Sequence, residues 1–209
     1  MKPEIPQPVT RMQAEAIVVG GSAGAFDAFS TLFADLPGEF TIPIVIVLHL
    51  PRRKPSALAE ALATQIGRPV QEPLDKEPMA RSMIYVAPAD YHLLIDRGLA
   101  FALSVDEPVN FSQPSIDILF ESAADALGAR LIGILLSGAN ADGAQGLKAI
   151  EDAGGLAIIQ APEDASSPAM PNAAIALCKH ARVLPARDIR EHLLQAAGCG
   201  GAAEQRGMP

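Results

Sequence analysis

The sequence predicts an α/β domain: a doubly wound, mostly parallel sheet with helices on both faces and an antiparallel hairpin, Rossmann-like in arrangement. Three observations lead there. Ile42-Pro-Ile-Val-Ile-Val-Leu-His49 is apolar without alternation, which suits a strand buried on both faces of a parallel sheet. Such runs alternate with helix-compatible segments, the signature of right-handed βαβ units. The 209 residues, 49% hydrophobic and 19% charged with mean hydropathy +0.23, supply one sizeable core and exclude wholesale disorder.

The elements follow in order. Residues 1–14, polar and holding Pro3, Pro6 and Pro8, read as a loose arm. Ala16–Gly20 is a β-branched strand, and the helix after it spans Phe26–Ala34 and closes at Pro37-Gly38. The buried strand ending at His49 comes next, then a helix over Pro55–Ile66 that Gly67-Arg-Pro breaks. Met83–Ala87, His92–Asp96 and Leu99–Val105 are short strands parted by turn residues, the last two close enough to pair as a hairpin. Alternation then resumes: helix Pro114–Leu127, strand Leu131–Leu136, helix Asp142–Ala153, strand Leu156–Gln160, helix Pro171–Cys178, strand Arg182–Leu184 and helix Ala186–Ala197. The domain is thus expected over 15–197, with a frayed glycine-rich tail over 198–209.

Composition narrows the partners. Sixteen basic against 24 acidic residues give a net charge of −8, and there is no Trp. Phosphate backbones want a basic face and bases want aromatic platforms, so nucleic acid is not an expected partner. Runs such as Ile44–Leu48 and Leu131–Leu136 are too short to span a bilayer, so no membrane insertion is expected. The N-terminus lacks the apolar stretch of a signal peptide. Cys178 and Cys199 form neither CxxC nor a metal spacing, which reads as a reducing, cytoplasmic compartment.

In such folds chemistry sits beyond the carboxyl ends of the strands. After the first strand stands Gly20-Gly-Ser22-Ala23-Gly-Ala25. Its glycines are out of register for a dinucleotide fingerprint, and it lacks the Gly-Lys-Ser/Thr ending of a phosphate loop. As G-x-S-x-G it reads as a nucleophile turn, although any βα turn favours Gly and Ser. After the second strand stands His49, and after the strand Leu131–Leu136 comes Ser137-Gly-Ala-Asn-Ala-Asp142-Gly143. Asp142 serves equally as the N-cap of the helix it precedes or as the carboxylate that orients His49. A serine hydroxyl, unionised at neutral pH, needs such an imidazole and carboxylate to attack an acyl carbon. The chain order Ser22, His49, Asp142, with the serine after the first strand, is not that of an α/β-hydrolase.

Gly20-Gly-Ser-Ala-Gly, Leu48-His-Leu-Pro51, Tyr85-Val-Ala-Pro-Ala-Asp-Tyr-His92, Pro114-Ser-Ile-Asp117, Ser137-Gly-Ala-Asn-Ala-Asp-Gly143 and Ala169-Met-Pro171 occur in the order found in CheB. The chain resembles the catalytic domain of this chemotaxis protein-glutamate methylesterase over roughly residues 15–195. The resemblance implies a doubly wound α/β domain and hydrolysis of glutamyl 5-methyl esters on the cytoplasmic helices of methylated chemoreceptors or another methylated protein. Glutamine deamidation often accompanies that activity, and no cofactor or metal is implied. It matches Ser22 to the nucleophile, His49 to the base and Asp142 to the triad acid, with the Ala23 and Ala139 amides as oxyanion donors.

The chain departs from the family at several positions. Ser22-Ala-Gly-Ala25 stands where Ser-Thr-Gly-Gly is usual, Leu50 and Arg52 alter the His-Met-Pro-Pro stretch, and Ala139-Asn140 replace Met-Gly. The segment Val109-Asn-Phe-Ser-Gln-Pro114 lacks the family's basic residues. These changes motivate a second reading, a binding or regulatory module of the same fold with weakened catalysis. Arg52, Arg53 and Lys54 follow His49 after Leu50-Pro51 and read either as a solvated loop or as a dock for an acidic substrate helix. Full-length relatives usually carry a receiver domain; here only a short arm precedes the first strand, so the chain reads either as a free-standing esterase, with any receiver or regulator on a separate chain, or as an excised domain.

Overall fold

The computed structural model describes residues 14–49 and 57–199. Its frame is a seven-stranded parallel sheet in the order β3-β4-β2-β1-β7-β8-β9. The strands are β1 (Ala16–Gly21), β2 (Ile44–Leu48), β3 (Val70–Gln71), β4 (Ile84–Val86), β7 (Leu131–Leu135), β8 (Leu156–Gln160) and β9 (Arg182–Leu184). A separate antiparallel pair, β5 (His92–Ile95) and β6 (Phe101–Ser104), forms the hairpin. The helices are α1 (Phe26–Phe33), α2 (Leu58–Ile66), α3 (Ile116–Leu127), α4 (Ala144–Asp152), α5 (Ala169–Leu177) and α6 (Ala186–Ala196).

Two apolar cores sandwich the sheet. Helices α1, α2 and α6 cover one face through residues such as Phe29, Leu32, Leu62 and Ile189. Helices α3, α4 and α5, with the hairpin, cover the other through Phe120, Leu147, Met170 and Phe101. Strands β1, β2 and β7 are buried at every position, which is why their sequences show no polar alternation. β1 is central, and the chain passes to β2 on one side and β7 on the other, so the topological switch lies at its carboxyl end.

Three local differences from the sequence reading have simple causes. The strand β3 is only two residues long, too short to leave a periodic signal after the break at Gly67-Arg-Pro. Helix α4 starts at Ala144 rather than Asp142, because Gly143 takes a left-handed φ of 93° immediately before it. The ordered chain also runs past Ala197. Gly198 at φ 77° lets its N–H reach Gln195 O at 3.0 Å while Cys199 N–H reaches Leu194 O at 2.8 Å, the two bonds of a Schellman cap on α6. Of the arm expected over 1–14 only Ala14 is described, and of the tail over 198–209 only Gly198 and Cys199.

The packing of α3 on α4 fixes the site described below. Gly146 permits it: a Cβ there would stand 2.6 Å from Phe120 Cβ and 2.9 Å from the Asp117 carbonyl oxygen. Backbone cannot yield as a side-chain tip can, so Gly146→Ala should force the helices apart. The expected loss is about 1–3 kcal/mol, seen as a melting temperature lower by roughly 2–12 °C; an unchanged melting temperature would contradict this account of the contact.

Candidate active site

Register brings the first two sequence-predicted residues level. β1 pairs with β2 as far as Gly21 with Leu48, so Ser22 and His49 stand side by side one residue beyond. His49 N–H donates to Gly21 O at 3.1 Å, and Ser22 N–H to Ser137 O at 2.9 Å, tying the ends of β1, β2 and β7 together. Glycines at 20 and 21 are needed here, since Cβ atoms would come within 2.3 Å of Ile116 and 2.6 Å of Ala25 respectively.

The third residue closes the constellation. His49 Nε2 lies 2.9 Å from Asp142 Oδ2, with the imidazole 12% exposed and the carboxylate fully buried. Nε2 has no other polar partner among the described residues, and its N–H is turned off the straight line to Oδ2. The close approach of two buried polar atoms decides that they form a pair. With Asp142 accepting, the proton sits on Nε2 and the lone pair on Nδ1. Nδ1 is 3.5 Å from Ser112 Oγ, a long contact on the pocket side. The pocket, about 500 Å³, is lined by Ser22, Ala23, Phe26, His49, Ser112 and Asn140 among others. Within it, Ser22 and His49 share a wall, but among the described residues no hydrogen bond joins them.

Asp142 does not cap its own helix; it caps α3. Its Oδ2 accepts the Ile116 N–H at 2.8 Å, and its Oδ1 accepts the Ser115 hydroxyl at 2.8 Å and, more weakly, the Asp117 N–H at 3.3 Å. Burial pushes the Asp142 carboxyl up, but His49, the Ile116 N–H and the Ser115 hydroxyl outweigh that and hold it below the ordinary carboxylate range. Beside it lies a second buried carboxylate, Asp117, with Oδ1 2.7 Å from the Gly146 N–H. Asn110 Nδ2 bridges the two, 3.1 Å from Asp117 Oδ2 and 3.4 Å from Asp142 Oδ1. Burial, opposed by the Gly146 bond and reinforced by the Asp142 charge, pushes Asp117 from 3.8 up to about 6.

Ser115, Asp117, Asn110 and Ser112 were not assigned roles from sequence. A local signal existed only for the first two, as polar residues at the start of a helix; Asn110 and Ser112 sit in an irregular loop. His92 is structural: Nδ1 accepts the Ser115 N–H at 3.1 Å, and Nε2 faces the Glu107 carbonyl at 3.1 Å. His92, Ser115, Asp117, Ser137, Asp142 and Gln160 are the buried polar side chains among the described residues, and hydrogen bonds join them in two groups, His92, Ser115, Asp142 and Asp117 in one and Ser137 and Gln160 in the other. Ala23 and Ala139 are exposed, and among the described residues neither amide N–H has an acceptor. Arg52, Arg53 and Lys54 lie outside the described residues.

A sequence model described as CheB methylesterase matches residues 17–193. The chain belongs to the CheB methylesterase family. A Leptospira interrogans protein, provisionally named protein-glutamate methylesterase/protein-glutamine glutaminase, is 47% identical over 164 residues, covering 78% of this chain and 85% of its own. Protein-glutamate methylesterase/protein-glutamine glutaminase 1 of Rhodospirillum rubrum is 34% identical over 196 residues, covering 91% of this chain but 51% of the relative, so the chain spans about half of that protein. The crystal structure of the Thermotoga maritima CheB methylesterase catalytic domain superposes with a TM-score of 0.81 at 29% identity, covering 87% of this chain and 98% of that one. The CheB fold thus accounts for the parallel sheet, its strand ends and the hairpin together.

The carboxylate pair gives a signed pH dependence. Asp117 has a raised value, so between about pH 4 and about 6 the folded protein keeps a proton that the unfolded chain has lost. Its contribution therefore favours folding below that window and weakens as pH rises through it. Asp142, lowered, acts oppositely: its contribution is present above the ordinary range and is lost as pH falls through its folded value. Thermal unfolding of wild type and Asp117→Asn between pH 4.5 and 7.5 checks this. Wild type should lose ground to the variant as pH rises; a gap independent of pH would contradict the raised carboxyl.

Proposed function

We propose that this chain hydrolyses glutamyl 5-methyl esters on a methylated protein through an acyl-serine formed at Ser22. The observation that carries the reading is the 2.9 Å contact between His49 and the buried Asp142 at the wall of a pocket that also holds Ser22, in a CheB-family fold. As Ser22 Oγ attacks the ester carbonyl carbon, His49 Nδ1 takes the hydroxyl proton and Asp142 stabilises the imidazolium. The unengaged Ala23 and Ala139 N–H groups are the donors for the oxyanion. Collapse breaks the acyl–oxygen bond, and the imidazolium protonates the departing methoxide to methanol. Water, deprotonated by the same nitrogen, then attacks the acyl-serine, releasing the glutamate carboxylate and restoring Ser22. A glutamine side chain would follow the same path with ammonia leaving.

The cytoplasmic helices of methylated chemoreceptors are the substrate this reading favours, which places the reaction in the cytoplasm. Among the described residues no helix is long and apolar enough to cross a membrane. Arg52, Arg53 and Lys54, three to five positions after His49 in the chain, would meet the acidic groups of such helices. A weakened, binding-only module is favoured by one observation, the missing hydrogen bond between Ser22 and His49. Against it, apo active sites often hold such pairs apart until substrate arrives.

Methanol release from a methylated chemoreceptor preparation separates the two readings. Ser22→Ala should abolish release while leaving the melting temperature unchanged. Asp142→Asn should cut kcat about 10⁴-fold by the serine-protease precedent. It should also lower stability, because the carboxylate caps α3. Near-wild-type turnover in either variant would remove the triad, and silence of the wild type on receptors from its native source would favour the binding module.

A further inference from the structure

The turn over Val109–Ser112 borders the site and has an unusual residue at its tip. Val109 N–H reaches Ser112 O at 3.1 Å and Ser112 N–H reaches Val109 O at 2.8 Å, closing a two-residue loop. Both central residues are left-handed, Asn110 at φ 50° and Phe111 at φ 61°. That is the backbone of a type I′ turn, in which Asn-Gly is the favoured pair. Asn110 fits. Phe111 stands where glycine would be free of strain, and its ring is 100% exposed, so no burial within the chain offsets the unfavourable backbone.

The neighbours on either side are tied to the site. Asn110 Nδ2 bridges Asp117 and Asp142, and Ser112 Oγ lies 3.5 Å from His49 Nδ1 on the pocket wall. Phe111 itself does not line the pocket, but it is adjacent in the chain to Ser112, which does, and it faces solvent.

We infer that Phe111 is a specificity-determining residue of this esterase: its ring packs on apolar side chains of the polypeptide that flanks the esterified glutamate. The inference rests on the proposed esterase reading. On a helix the residues three and four positions from the ester share its face, so they are the ones presented to the rim around the pocket. A small ester has no such neighbours and gains nothing from the ring.

Two esters test it: N-acetylglutamate 5-methyl ester, and a synthetic helical peptide carrying one glutamate 5-methyl ester with leucines three and four residues away. In Phe111→Gly the ratio of kcat/KM, peptide over small ester, should fall about ten-fold through KM, as when an aromatic that becomes buried against a partner is truncated. The melting temperature should hold or rise as the strain is relieved. Phe111→Leu should restore most of the ratio. An unchanged ratio in Phe111→Gly would overturn the inference, as would an equal loss on both esters, which would assign the ring to holding His49. Titration of the fluorescently labelled peptide onto Ser22→Ala, with and without Phe111→Gly, reads the contact without turnover: about ten-fold weaker binding supports it and equal binding overturns it. Wild-type failure on both esters with that binding difference intact would remove the esterase reading and leave the contact standing.

Discussion

The site is organised by one buried charge, the Asp142 carboxylate at the N-terminus of α3. An isolated carboxylate in the interior is costly, and it persists only where donors replace the water it has lost. Here the replacement comes from a helix end, whose first N–H groups have no intrahelical partner and whose dipole favours negative charge. Ser115 occupies the N-cap position of α3 but makes no capping bond of its own; its hydroxyl donates to Asp142 instead. The cap is thus supplied from the loop after β7, and helix and carboxylate satisfy each other. Whatever shifts α3 shifts the acid, and with it the orientation of His49.

Asp117 adds tension to that arrangement. Two carboxylates set side by side resist joint ionisation, and Asn110 relieves this with one amide group placed between them. The Gly146 N–H holds the far oxygen of Asp117, so the spacing of α3 and α4 sets how close the two charges come. Burial and the neighbouring Asp142 charge together push the Asp117 carboxyl up, so the pair carries less than its full double charge. The same Asn110 anchors the turn that brings Ser112 to the imidazole. One small polar side chain therefore links the electrostatics of the acid to the shape of the pocket rim.

What was legible in the sequence and what was not divide on the range of the interactions. Unalternating apolar runs announce parallel strands, and a parallel sheet brings residues at successive strand ends together, so Ser22 and His49 could be paired from the sequence alone. Asp142 was legible as a partner for His49 but not as the cap of α3. Its local context, an acid before a helix, points to a cap on α4, whereas Gly143 turns the backbone and sends the carboxylate to a helix that starts 26 positions earlier. Asn110, Ser112 and Asp117 gave no periodic signal, because their roles depend on an irregular turn meeting a helix from elsewhere in the chain. β3 was missed for the opposite reason, since two residues cannot show a period.

The departures from the family pattern fall where the physics is most forgiving. Ala23 and Ala139 replace residues with larger or hydroxylated side chains, yet what the proposed oxyanion hole uses is a backbone N–H, which every residue but proline carries. Those amides depend on the path of the chain. That path is fixed by elements the side chains at 23 and 139 do not touch: Ser137 Oγ donating to the Ala23 carbonyl at 2.7 Å, and Gly138 N–H to Ser167 O at 3.0 Å. Gly143 is held far more tightly, with a φ of 93° and no room for a Cβ, which would stand 2.6 Å from both Ile116 and Leu135. A substitution there would move Asp142 off α3 and His49 together. The loop can therefore change the residues that present its amides while keeping the glycine that aims its carboxylate, and that is the pattern this chain displays.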